Sequence, residues 1–347
     1  MTNSITRRAF AASAALAVAG IATPSLRAQS KLEKSKVSIA VGAKASLYYL
    51  PLTISDQLGY IKAEGLDVEI SEFPSGARAQ QSLVGGSADV VSGAYEHTIH
   101  LQLRNQLVRS FVLLGRAPQI AMGVSIKTMP SYKTVADLKG KRIGVSSLGS
   151  STHVAAYLVL ARAGLKASDV NFVGVGTAAG ALTAMRSGQI DAMCNLDPVM
   201  TMLEQKGEVK IIGDARTLKG TAEVYGGAMP AACLYGQVDF IQKNPNTCQA
   251  MVNAIVHGLK WLQTAGPSDI IKTVPEAYML GDRALYLASF NKVREAISLD
   301  GIMSDEGPRT ALKALASFDA SIKTEKIDLG QSYTNDFARR AKQKFRA

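Results

Sequence analysis

The chain has 347 residues and a formal net charge of +11, from 39 Lys and Arg against 28 Asp and Glu. A composition that is 47% hydrophobic and 19% charged excludes a disordered chain and leaves room for about two domains with a sizeable core. Three cysteines in this length exclude a disulfide scaffold and a zinc site built on paired C-x-x-C motifs.

Thr6-Arg7-Arg8-Ala9-Phe10 leads into an apolar run from Ala9 to Ile21, which Pro24 ends. The run suits the core of a signal peptide and is shorter than the roughly 18–20 residues that span a bilayer. Twin Arg before Phe is similar to a twin-arginine export signal, and Leu26-Arg27-Ala28 offers cleavage after Ala28. Residues 1–28 are therefore read as an export signal, with Sec export fitting the same features. No later stretch reaches transmembrane length without a charge or breaker, so a soluble, exported protein is expected. On such a protein the positive charge points to anionic solutes or surfaces rather than nucleic acid.

Strand Val37–Gly42 is followed by helix Pro51–Leu58, with Pro in its first turn and Gly59 closing it. Next come strand Asp67–Phe73, helix Ala77–Val84, strand Ala88–Val91, helix Tyr95–Arg104 and strand Ser110–Leu114. This alternation predicts a mostly parallel sheet flanked by helices. A second series begins after Gln119–Ile126. It runs through a turn at Val135–Leu138, strand Arg142–Val145, helix Ser151–Ala163, strand Val170–Val175, helix Ala178–Arg186, strand Ile190–Cys194, helix Pro198–Gln205 and strand Val209–Ile212. One phrase, helix end then Gly-x-x-Asp then strand, occurs twice: at Gly86-Ser87-Ala88-Asp89 it is preceded by Gly85, and at Gly188-Gln189-Ile190-Asp191 by Ser187. Two similar α/β lobes follow from the pair.

After Ala228–Tyr235 the pattern is helical, over Asn244–Thr264, Pro267–Val274, Arg283–Ile297 and Asp305–Phe318. A late helical tail implies a return to the first lobe, with crossings near Ala117–Ala121 and Leu218–Gly227. The first lobe is expected over 36–118 and 226–347 and the second over 119–225. The basic run from Arg339 to Arg346 reads as a solvated helix face. Cys194, Cys233 and Cys248 allow at most one bridge and require none.

Enzyme motifs fail on spacing. Val135 stands where the first Gly of a phosphate loop belongs before Gly140-Lys141. Gly174-Val175-Gly176-Thr177-Ala178-Ala179 has the form of a dinucleotide turn, but Asp191 opens the next strand instead of ending it. Gly144-Val145-Ser146-Ser147-Leu148-Gly149 is one residue too long for a nucleophile elbow. No His has the spacing of a zinc helix. What remains are polar turns between strand and helix. The best is Ser146–Thr152, whose free N–H groups and hydroxyls suit an anion or a polar oxygen, with plain N-capping by Ser150 or Ser151 as the alternative. Such turns lie at the carboxyl ends of strands, where open α/β sheets bind ligands. Tyr48, Tyr95 and Tyr225 would line a cleft between lobes, and Glu96, next to Tyr95, would suit an amine.

Four phrases carry a resemblance. They are Gly59-Tyr60-Ile61-Lys62-Ala63-Glu64-Gly65-Leu66-Asp67-Val68, Leu83-Val84-Gly85-Gly86-Ser87-Ala88-Asp89-Val90, Asp137-Leu138-Lys139-Gly140-Lys141-Arg142-Ile143-Gly144-Val145 with Gly149-Ser150, and Gly188-Gln189-Ile190-Asp191-Ala192. In order and spacing they resemble the periplasmic solute-binding proteins of the nitrate/sulfonate/taurine transporter group, which includes proteins for thiamine-pyrimidine precursors. The resemblance implies an α/β two-lobed periplasmic binding protein fold of type II-like form, with the ligand cleft between lobes and a permease of an ABC importer as partner. It implies a small, polar and anionic organic ligand, sulfonate- or taurine-like. A pyrimidine or aromatic carboxylate, or a receptor-associated sensor role, is the alternative. Ligand positions carry over to Ser46, Tyr48, Ser75, Gly76, Tyr95, Glu96, Gly149, Ser150, Ser151, Thr177, Asn195 and Asp197, with Tyr225 added from its chemistry. Leu196 replaces the aromatic residue that sulfonate-type members often carry before Asp-Pro. The clustered Cys motif of the eukaryotic precursor-synthesising relatives is missing. No catalytic residue, metal, cofactor or nucleic acid is expected, and the protein is expected to act as a monomer.

Overall fold

Ten strands carry the architecture among the described residues, 31–347 of a computed structural model; the expected export signal at 1–28 lies outside them. β1 (Lys36–Gly42), β2 (Asp67–Phe73), β3 (Val90–Ala94), β4 (Val108–Leu113) and β10 (Ala232–Gln237) form one sheet in the order β2-β1-β3-β10-β4. β5 (Ile120–Ser125), β6 (Arg142–Val145), β7 (Asn171–Gly174), β8 (Ala192–Leu196) and β9 (Val209–Ala215) form a second in the order β7-β6-β8-β5-β9. In each sheet one strand runs against the rest: β10 between β3 and β4, and β5 between β8 and β9. These two came from Gln119–Ile126 and Ala228–Tyr235, the segments given no element above. The result is a pair of mixed, mostly parallel sheets flanked by helices, as the alternation implied.

The central strands are apolar on both faces, as parallel strands covered by helices must be. Ile39, Ala40, Val41, Val90 and Val91 are buried in the first sheet, and Ile143, Val145, Ala192 and Met193 in the second. The repeated Gly-x-x-Asp phrase does the same work in both. Asp89 Oδ2 accepts the Ser38 N–H at 2.9 Å and its hydroxyl at 3.0 Å, which fixes β3 beside β1. Asp191 Oδ2 accepts the Arg142 N–H at 3.0 Å, and the Arg142 guanidinium spans both carboxylate oxygens at 3.0 and 2.9 Å. The ladder therefore starts after each Asp. This moves the strands expected at Ala88–Val91 and Ile190–Cys194 to Val90–Ala94 and Ala192–Leu196.

The chain leaves the first sheet after Leu113 and returns to it at Ala232, and the two crossings run side by side. Gly115 N–H donates to Ala232 O and Ala231 N–H to Gly115 O, both at 2.9 Å. Gln119 N–H donates to Ala215 O at 3.0 Å. In the tail, the Asp336–Phe345 helix buries Phe337, Ala338 and Ala341 and turns its Arg and Lys outward. Lys342 and Lys344 bond Asp300 and Glu64 at 2.8 and 2.6 Å. Cys194, Cys233 and Cys248 are buried and free. Among the described residues no helix is long and apolar enough to cross a membrane.

Candidate functional site

The turns at the carboxyl ends of the strands face each other across the two sheets. Ser75 ends the β2 turn and opens the Gly76–Val84 helix, where its Oγ accepts the Arg78 N–H at 3.3 Å. Gly42, at the end of β1, lets this turn lie directly on the strand: a Cβ there would overlap the Gly76 amide. From the other sheet, the Ser147 hydroxyl donates to Ser75 Oγ at 2.7 Å. Leu47 N–H donates to Asp197 O at 3.1 Å, a second link between sheets. The Ser151 hydroxyl lies near enough to the Glu96 carboxyl to favour its charged form. Beside these, the Tyr157 and Phe318 rings stack with centroids 5.1 Å apart.

Glu96 opens the Glu96–Gln102 helix after β3 and is buried. Burial holds its carboxyl above the usual range, against the lowering effect of Ser151 and its own backbone. The buried phenols of Tyr48, Tyr49 and Tyr225 are pushed up by burial first and then by the nearby Glu96 charge. Tyr48 and Tyr49 meet edge to face with centroids 4.9 Å apart. Ser46 is buried and its Oγ accepts the Tyr48 N–H at 3.2 Å. The expected group of Ser46, Tyr48, Ser75, Gly76, Glu96, Ser151 and Tyr225 thus gathers around one buried polar centre.

Other expected residues are committed elsewhere. The Tyr95 OH bonds Ser332 Oγ at 2.6 Å and so ties the start of the Glu96 helix to the C-terminal segment. The Ser146–Thr152 turn uses several of its own donors. Ser146 N–H goes to Thr152 Oγ1 at 2.9 Å, Gly149 N–H to His153 Nδ1 at 3.0 Å, and Ser150 Oγ to Ser147 O at 2.7 Å. Gly149 and Ser150 therefore shape the turn, with Gly149 at φ +80° where a side chain would be strained. Ser150 holds the N-cap position but makes no side-chain cap bond. Asn195 is also spent internally, donating to Gly176 O at 2.9 Å and accepting the Leu196 N–H at 2.9 Å. It braces the loop that carries the half-buried Thr177.

Asp197 is the buried end of a charge network. Its Oδ1 accepts the Thr201 N–H at 2.7 Å and lies 3.8 Å from the Arg216 guanidinium. Burial raises its carboxyl even so, against the pull of Arg216. Arg216 is 0% exposed. It spans Asp214 at 2.8 and 2.6 Å, meets Glu204 at 2.8 Å, and donates to Thr201 Oγ1 at 3.2 Å. Lys292, on the Arg283–Val293 helix, completes the set at 2.6 Å from Glu204. Burial would raise Asp214 and Glu204, but Arg216 and Lys292 hold both below their ordinary range.

Sequence reasoning missed three members of this region. Tyr49 OH lies 3.3 Å from where a Cβ on Gly76 would stand. His97 is buried, bonds Tyr235 OH through Nδ1 at 3.1 Å, and leaves Nε2 without a partner among the described residues. Arg216 carried no signal beyond being a lone basic residue after an apolar strand. Among the described residues, no three His, Cys, Asp or Glu side chains are placed to hold a metal ion.

Comparison with known proteins places this geometry among relatives. A family model described as NMT1/THI5 like matches residues 46–267. A solved structure from Bordetella bronchiseptica RB50 is 55% identical, covers 91% of this chain and 100% of its own, and superposes with a TM-score of 0.90. An Escherichia coli K12 protein, provisionally named as an aliphatic sulfonates-binding protein, is 29% identical over 219 residues, 62% of this chain and 67% of its own. The alkanesulfonate-binding protein of Xanthomonas axonopodis pv. citri, solved with MOPS bound, shares the fold at 19% identity and a TM-score of 0.70, over 88% of this chain and 100% of its own.

Proposed function

The chain belongs to the NMT1/THI5-like family, and from that membership and the site's geometry we propose that it is the solute-binding component of an ABC importer. In this reading residues 1–28 direct export, the protein works as a periplasmic monomer, and a membrane permease receives its ligand. Residues 36–118 with 226–347 form one lobe, 119–225 the other, and the paired crossings act as the hinge. The ligand is a small polar organic solute, with sulfonate- or taurine-like compounds the first to test given the names of the relatives above.

The observation that carries this reading is the meeting of polar strand ends from both sheets, Ser75 with Ser147 and Leu47 with Asp197. A ligand held there touches both lobes only when they are closed, so it shifts the population toward the closed form by its differential affinity. A micromolar site corresponds to roughly 8 kcal/mol of binding free energy. Hydroxyls and the N–H groups at helix starts supply part of this without a cationic side chain. Thermal-shift screening against sulfonates, carboxylates, amines and pyrimidines, followed by solution scattering on each hit, tests it. A rise in Tm with a smaller radius of gyration and unchanged ligand is expected. Chemical turnover of the hit, or hits that leave the radius unchanged, contradicts the proposal.

A further inference from the structure

Glu96 is 3% exposed, yet among the described residues no basic side chain pairs with it. The Ser151 hydroxyl and the phenols of Tyr48, Tyr49, Tyr225 and Tyr235 lie near it. The buried and half-buried carboxylates of the charge network do have basic partners: Asp197, Asp214 and Glu204 have Arg216, and Glu204 also has Lys292. A carboxylate enclosed without a counter-ion is costly, so such a carboxyl either takes up a proton or has its charge completed by a partner from outside.

The position of Ser151 sharpens the point. It is the first residue of the Ser151–Arg162 helix, whose positive end favours an anion. That end is already met by the chain's own carboxyl. A sulfonate or carboxylate brought to the same place would be repelled by the Glu96 charge, whereas a cation would be drawn to it.

Resting on the solute-binding reading above, we infer that the ligand carries a protonated nitrogen, an amine or amidinium, that ion-pairs with Glu96 beside Tyr48 and Tyr225. An aminosulfonate satisfies this and the sulfonate likeness together. A simple sulfonate or nitrate does not.

Calorimetry on matched pairs tests the assignment, using taurine against isethionate, β-alanine against 3-hydroxypropionate, and benzylamine against benzyl alcohol. At pH 8 the tightest pair is expected to favour the amine at least tenfold. The preference should shrink as pH falls and Glu96 takes up a proton. Glu96→Gln, which keeps the shape, should abolish the preference, and Glu96→Asp should retain part of it. The pH series on the unaltered protein stands even where a variant folds poorly. A hydroxyl partner that binds as well as its amine, or a preference untouched by Glu96→Gln, overturns the inference and leaves solute binding intact. Failure of every pair to bind the folded protein overturns the inference together with the reading it rests on.

Discussion

The Ser147 hydroxyl donates to the Ser75 hydroxyl across 2.7 Å, and that one bond joins turns that belong to different sheets. Ser75 also caps its own helix, whereas among the described residues the Ser147 side chain makes only this link and a weak 3.5 Å contact to Leu148 O. Ser147→Ala therefore removes closure contact with little loss of fold. A net hydrogen bond is worth about 0.5–1.5 kcal/mol, so affinity for a cognate ligand should fall roughly two- to twelvefold. Urea unfolding should stay within about 0.5 kcal/mol of the parent. Equal affinity by calorimetry would remove this bond from the closing mechanism.

Arg216 is expected to be a stability residue. Replacing it with Met strands Asp214 and leaves Glu204 with Lys292 alone, and breaking a buried ion network in this way costs about 3–5 kcal/mol. Urea denaturation measures the loss. A cost below about 1 kcal/mol would mean that the carboxylates find solvent or protons instead.

The Tyr157–Phe318 stack lies between the Ser151–Arg162 helix and the tail that follows the Gly307–Ala316 helix. Aromatic pairs add about 0.5–1.5 kcal/mol beyond burial. Phe318→Ala and Tyr157→Ala should each weaken ligand binding several-fold. A double-mutant cycle should show that the two effects are not additive. Additive effects would mean that the rings act separately.

Gly42→Ala should harm the site more than its size suggests. The added methyl meets the Ser75–Gly76 backbone, not a flexible side chain, so the turn must move. Overpacking of this kind costs about 1–3 kcal/mol, and displacement of Ser75 should lower ligand affinity at least tenfold. A crystal structure of the variant with an unmoved turn would contradict the account.

Burial pushes His97 down to about 3 and His153 to about 4. The unfolded chain titrates near 6.5 and so binds protons that the folded chain refuses. Their contribution to stability is complete above pH 6.5 and is lost as pH falls toward 4. Buried Glu96 and Asp197 titrate in the opposite sense, so a variant is needed to separate the terms. His153→Asn, which can still accept the Gly149 N–H, should lose on the order of 1 kcal/mol less than the parent between pH 7 and 5. Urea midpoints at the two pH values measure it, and parallel losses would exclude His153 as a titrating group.

Much of this was legible in sequence where the cause is local. The Gly-x-x-Asp phrases could be read because Asp89 and Asp191 act on the strand beside their own, a job that repeats with the lobe. Ser75 and Ser151 could be placed because a polar residue between strand and helix has few other uses. Long-range partners were not legible. Tyr95 points where it does because of Ser332, and Arg216 is buried because Asp214, Glu204, Thr201 and Asp197 converge on it. β5 and β10 were missed because an apolar run does not declare which sheet it will enter, or in which direction.

The insertion of β10 between β3 and β4 also sets a schedule for a chain that emerges N-terminus first. The second sheet draws every strand from one stretch, Ile120 to Ala215, and can assemble as soon as that stretch is free. In the first sheet β4 has no strand beside it until Ala232–Gln237 arrives, although its own residues appeared more than a hundred positions earlier. The lobe that begins first is therefore completed last, with the exposed edges of β3 and β4 the surface most in need of protection while it waits.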